Sequence, residues 1–388
     1  MHIWSLVMAL AYIPFLVQGK NRDESTPEIP SSCHQNEFNI QSPEDLENII
    51  DCNILVGNIV ISDYNYPIIT FSKLEKVLGN LTILKSPELV RIEAPTLEYI
   101  SSRFILTELT SLSLISFPSI KYINVLDWSI LPILSNVHLN HEIQGIESIR
   151  VSDTSLTGFS GFIADKLDIL DINNNRFLDT IECNVEHIYG KLHIAANAID
   201  VKVSLPKLRQ VSNLSINNVE RLNLDQLETV DNSLSLSNNY FQQLRFPQLE
   251  TIGGTLSLLQ NEQVNHLEFP SLNEIGGGLM LVNNTKVDKI NFFPKLKIIG
   301  GALELVGPIK EIVFRQLKLV KGSAIVKSTS QQFDCTKWST SDILLVVRGG
   351  KIECTNYKNE KFTSRTRKEG HSQGLHSNTV ALIYRFIL

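Results

Sequence analysis

Residues 246–261 read FPQLETIGGTLSLLQN, residues 269–284 read FPSLNEIGGGLMLVNN, and residues 293–307 read FPKLKIIGGALELVG. A fourth copy, FRQLKLVKGSAIV, begins at Phe314. The starts Phe246, Phe269, Phe293 and Phe314 are 23, 24 and 21 residues apart, a period that marks a repeat architecture. Weaker copies begin at Leu205 and Leu224, and fainter ones at Phe71, Ala94 and Phe117. Leu-x-Leu alternation has the period of a strand. Leu256 and Leu258, Leu279 and Leu281, and Leu303 and Leu305 therefore share an inward face. Gly253–Gly254, Gly276–Gly277 and Gly300–Gly301 precede these strands, where glycine permits a tight bend or a positive φ. The Phe-Pro step opens the opposite side of each coil, since proline lacks a donor and suits a turn or an edge. One such unit cannot bury its own apolar face. Stacked copies can, with strands about 4.8 Å apart. The expected fold class is mainly β, a right-handed leucine-rich-repeat-like solenoid.

Asparagine supplies a second register. Asn175, Asn197, Asn239, Asn261 and Asn284 each lie five residues after the first Leu or Ile of their strand. Stacked, they form a ladder whose amides bond the turn backbone of adjacent coils. Val219 interrupts it, with Asn218 one place early. The residues between the inward pairs face out: Thr82, His193, Ser215, Ser235, Ser257, Met280 and Glu304. They are mostly small and weakly charged, which predicts a flat face, either plainly solvated or used for binding. His193 is expected to be a solvated surface residue.

The chain has 388 residues, 43% hydrophobic and 20% charged, with a net charge of −6. That composition folds and lacks the basic footprint that nucleic acid demands. Residues 3–17 are apolar and nearly uncharged, and Val17-Gln18-Gly19 offers small flanks for cleavage near Gly19. The stretch reads as a signal peptide, too short for a spanning helix. In an oxidising compartment the five cysteines become a framework. Cys33 and Cys52 are 19 residues apart, as are Cys335 and Cys354, and each pair brackets one end of the fold. Two short-loop disulfides, Cys33–Cys52 and Cys335–Cys354, are expected to cap those ends. Cys183 is left as a buried thiol or, less simply, an intermolecular bridge. Asn80, Asn213 and Asn283 open Asn-x-Ser/Thr sequons and become candidate N-glycosylation sites. Alternation places Asn80 and Asn213 on the outward face.

No chemistry-bearing motif is present. There is no Gly-x-Ser-x-Gly elbow, phosphate loop or His-Glu-x-x-His. His138-x-x-His141 and Cys183-x-x-x-His187 have loose ligand-like spacing but no matching second pair. No enzyme activity, metal or cofactor is expected.

The repeat resembles the receptor L-domain type of irregular leucine-rich solenoid. More closely, the chain resembles the fungal GPI-anchored cell-wall-organisation and sporulation-specific glycoproteins. The residues that carry the resemblance are the leader with Cys33, VSDTSLTGFSGF at 151–162, LDILDINNNRFLDTI at 167–181, the Phe-Pro coils, and the cap at Asp334-Cys335 and Cys354. It spans roughly residues 33–354. It implies a non-catalytic surface glycoprotein that supports wall organisation, with ascospore wall assembly and its β-glucan layers as one branch. Its partners are then wall polysaccharide or wall proteins. A surface module that recognises a protein or carbohydrate ligand is the alternative. The resulting division is a signal peptide at 1–19, a polar leader at 20–32, first coils at 33–165, regular coils at 166–334, a cap at 335–354 and a basic tail at 355–388. The tail departs from the family, since Val380–Leu388 is short for a GPI signal and contains Arg385. Gly370, Ser372 and Gly374 are the small residues at which a lipid anchor could attach. Free secretion, or retention in the wall by other means, is the alternative. Oligomeric state is left open by the sequence.

Overall fold

The computed structural model describes residues 29–140 and 142–365. The signal peptide, most of the polar leader, His141 and the three candidate anchor residues lie outside the described residues.

The chain winds as a parallel β-solenoid of about thirteen turns. Each turn adds a strand to one long sheet, and successive strands are in register. Leu256 lies beside Leu279, Leu279 beside Leu303, and Leu303 beside Ala324. Leu256, Leu258, Leu279, Leu303 and Leu305 are buried, whereas Ser257, Met280 and Glu304 between them are half-exposed. Smaller lateral sheets run along the other side, the first through Ile68–Thr70, Arg91–Glu93, Leu114–Phe117 and Asn136–Leu139. The aromatic rings of the successive Phe-Pro steps at Phe246, Phe269 and Phe293 pack against one another from coil to coil. Ring centroids are 5.3 Å apart for Phe246 and Phe269, and 5.0 Å for Phe269 and Phe293. Burying such a ring contributes roughly 1.5–3 kcal/mol, and its stacked partner somewhat more.

The glycine pairs work by close approach and not by a positive φ. A Cβ on Gly276 would lie 2.2 Å from the carbonyl oxygen of Gly253, and one on Gly300 would lie 2.0 Å from that of Gly276. The left-handed turn lies elsewhere, one residue before the asparagine slot. Asp63, Lys85, Glu108, Ile130, Asp153, Asn174, Ala196, Asn218, Asn238, Gln260 and Asn283 occupy it in successive coils, with φ between 49° and 59°. Non-glycine residues rarely adopt that conformation, so the stacked coils must hold it.

The degenerate stretch from 118 to 165 keeps the same core. Leu126, Trp128, Ile149 and Val151 all point inward. Ser148–Ser152 pairs with both Tyr122–Ser129 and Lys166–Asn173, so no break in the sheet corresponds to the division at 165. The first end is closed by the Cys33–Cys52 disulfide and a short helix, Pro43–Glu47. Ser42 and Asp45 form a reciprocal capping box at its start. The other end is closed by helices Cys335–Ser339 and Ile343–Val346 and by the Cys335–Cys354 disulfide. Residues 355–388 are not all tail, however. Lys351–Thr355 joins the main sheet in parallel, and Lys361–Arg365 pairs back onto it antiparallel. The cap therefore extends to residue 365, because the hairpin covers an edge strand that would otherwise be open.

Candidate functional site: the outward sheet face

The outward face of the long sheet is a single row read across coils. Thr82, Ile105, Asp127, Arg150, Asp171, His193, Ser215, Ser235, Ser257, Met280 and Glu304 are successive cross-strand neighbours. The row has two characters. From Ser215 to Ser257 it is a run of small hydroxyls, joined by a neighbouring contact between Ser237 and Asn217. From Asp127 to His193 it is charged, and here the expectation of a weakly charged face is corrected. Asp127 lies 3.0 Å from the guanidinium of Arg103 and 4.0 Å from that of Arg150. Asp171 accepts hydrogen bonds from Lys191 at 2.9 Å and from Asn173 at 2.8 Å, and meets His193 Nδ1 at 2.8 Å. Its burial raises the carboxyl pKa, but hydrogen bonds from His193, Lys191 and Asn173 outweigh that and hold it well below the usual carboxylate range. His193 is thus a partner of Asp171 and not a freely solvated side chain. The shared sequence signal is a charged residue between two inward apolar ones, as in Leu170-Asp171-Ile172. It acquires meaning only when residues 21 to 24 apart are set side by side.

Behind this face stand the asparagines. Asn175, Asn197, Asn239, Asn261 and Asn284 are all buried. The Asn261 Oδ1 accepts from the backbone N–H and the side-chain amide of Asn239, at 3.1 and 3.0 Å. The Asn261 amide in turn donates to Leu236 O at 3.0 Å. Asn284 serves Asn261 in the same way, and Asn197 serves Asn175. At Val219 only the backbone N–H takes part, donating to Asn239 Oδ1. Two polar residues in the corresponding place earlier in the chain extend the row. Thr154 donates its N–H and hydroxyl to Asn175 Oδ1, and the Ser86 hydroxyl accepts from Tyr64 N–H.

Of the three sequon residues, Asn213 and Asn283 are exposed and Asn80 is half-buried. Asn80 Oδ1 accepts from Arg103 N–H at 3.1 Å. A glycan replaces an Nδ2 hydrogen, so this bond is compatible with glycosylation. Asn213 and Asn80 sit at the shoulder of the face, whereas Asn283 occupies the left-handed turn with φ of 57°. Cys183 is buried, and burial pushes its thiol up to about 11. That chemistry suits an inert core thiol and not an intermolecular bridge. His138 lies on a lateral strand, and its spacing partner His141 lies outside the described residues. Among the described residues, no group of three or more His, Cys, Asp or Glu side chains is disposed to hold a metal ion, and no helix is long and apolar enough to cross a membrane.

No family model and no solved structure matches the chain. Curated relatives do. Sporulation-specific protein 22 of Saccharomyces cerevisiae is 37% identical over 360 residues, covering 92% of this chain and 77% of that protein. Sporulation-specific protein 2 of the same organism is 36% identical over 351 residues, covering 89% and 70%. Cell surface GPI-anchored protein ECM33 of Candida albicans is 28% identical over 344 residues, covering 88% and 83%. A match over 360 of 388 residues extends beyond the regular coils into the irregular caps. The chain belongs to the fungal family of sporulation-specific and GPI-anchored cell wall proteins.

Proposed function

We propose that this chain is an exported, non-catalytic glycoprotein of the fungal surface that supports wall organisation, and that its particular role is assembly of the spore wall. The observation that carries the reading is the 37% and 36% identity to two sporulation-specific proteins, over about nine-tenths of this chain. The capped, disulfide-closed solenoid agrees with a life outside the cytosol. The wall is polysaccharide and protein, and those are the partners proposed. Surface retention would come from a lipid anchor at Gly370, Ser372 or Gly374, in keeping with GPI-anchored relatives.

Deleting the gene in a sporulating strain tests the role. The expected result is spores with a defective glucan layer and lowered resistance to solvent and wall-digesting enzymes, with vegetative growth little changed. Spores indistinguishable from wild type in both respects would sink the proposal. Incubating the purified protein with laminarin-type glucan tests its non-catalytic part, where no release of reducing ends is expected.

A further inference from the structure

The coil at Val219 is shorter than its neighbours. The lateral strand begins five residues after the asparagine slot at Asn197 and at Asn261, as Lys202–Ser204 and His266–Glu268, but only two residues after it at Val219, as Arg221–Asn223. The lateral ladder breaks at this step. Arg221–Asn223 pairs back onto Lys202–Ser204, whereas Gln243–Arg245 pairs onward with His266–Glu268, and the two do not pair with each other. At the centre of the neighbouring lateral strands Ile181, Val203, Leu244 and Leu267 are buried, but Leu222 is left half open. A groove of about 530 Å³ results, within the range of small-ligand clefts.

The groove is lined for a particular chemistry. Tyr240 lines it and is 40% exposed. The side chains of Arg221, Tyr240, Gln242 and Gln243 have no hydrogen-bond partner among the described residues. No positive charge is in excess, since Arg245 is held by Glu268 at 2.8 Å and Arg221 shares the lining with both Glu220 and Asp225. A pyranose ring offers an apolar C–H face to an aromatic ring and a rim of hydroxyls that both donate and accept. Tyr240 and Leu222 supply the first surface. The two glutamine amides, the guanidinium of Arg221 and the carboxylate of Asp225 supply both hydrogen-bond senses for the second. An anionic ligand would meet Asp225 without gain. A wholly apolar one would leave the amides unpaired.

We propose that this groove binds a segment of neutral polysaccharide. The inference deepens the wall-supporting reading and rests on it for the identity of the available ligand. The test is calorimetric titration of the secreted full-length glycoprotein with a β-1,3-linked glucose hexasaccharide and, separately, a β-1,4-linked N-acetylglucosamine hexasaccharide. Saturable binding of at least one is expected, weakened about tenfold or more by Tyr240→Ala and by the pair Gln242→Ala and Gln243→Ala. Tyr189→Ala, an exposed ring on the main sheet, should bind as wild type does. Melting temperatures of all variants should match, because the altered side chains are exposed. Binding by neither sugar overturns the groove, as does Tyr240→Ala binding as well as wild type. In the second case polysaccharide is bound elsewhere and the wall role still stands. Conversely, Tyr240-dependent binding with a deletion that leaves spores normal keeps the groove and removes the wall role.

Discussion

Single residues in this chain act through the coils on either side of them. Asn261 shows the dependence most directly. Its carbonyl satisfies two donors of the coil before it and its amide satisfies Leu236 O, all by direct hydrogen bonds. Each buried group left unpaired costs about 1–3 kcal/mol. Asn261→Ala should therefore destabilise by about 3 kcal/mol or more in urea denaturation, whereas Asn238→Gly, exposed and already at φ of 54°, should fall within about 0.5 kcal/mol of wild type. Asp171 makes a pH-dependent case. Its folded pKa is depressed, so its stabilising effect is fully present above the unfolded value of about 3.9 and is lost as pH falls below it. Asp171→Asn should lower the melting temperature at pH 7, and the gap to wild type should close on acidification from about pH 4 downward. A gap that stays constant to pH 2 would mean that the carboxylate is not what Lys191 and His193 stabilise.

At the scale of the element, the shoulder of each coil is a steric device. Gly276 has the carbonyl of Gly253 where a Cβ would be, so Gly276→Ala must push two coils apart along the sheet. It should cut secretion sharply and cost about 3 kcal/mol or more in the material recovered. Gly158→Ala, where nothing lies within 4 Å, should be secreted normally. Equal yields for the two would refute close packing as the reason for the glycines. The repeat was legible because strand period, proline and glycine pairs coincide every 21 to 24 residues. The left-handed turn was not, because Asp, Lys, Glu, Ile, Ala, Gln and Asn all fill it and share no chemistry. The charged row was hidden for a related reason: Asp127, Arg150 and Asp171 are neighbours only across strands. Lys361–Arg365 reads as a polar tail because Phe362 is its one apolar residue; that ring packs against the core while the strand pairs along its partner's backbone. The groove at Leu222 corresponds to residues that are missing, visible only by counting from the slot to the lateral strand.

The whole molecule is a one-dimensional stack, and its stability is a sum over coils and the contacts between neighbours. Such a stack is weakest where a coil has only one neighbour, at its two ends. Both ends carry a disulfide that closes a loop of 19 residues, and a loop of that length contributes about 3 kcal/mol in the chain-entropy account. The contribution is local, because the central coils contact neither cap. Replacing Cys335 and Cys354 by serine should therefore leave the middle of the solenoid intact and fray it from one side. Hydrogen exchange is the measurement that resolves this. Amides of Lys351–Thr355 and then Ala324–Ser328 should lose protection first, while those of His187–Ala195 and Gln210–Asn217 keep wild-type rates. The Cys33–Cys52 replacement should give the mirror result, beginning at His34–Ile40 and then Ile54–Ser62. Loss of protection spread evenly along the chain would show instead that the coils melt as one cooperative unit, with the caps holding the whole and not merely their own ends.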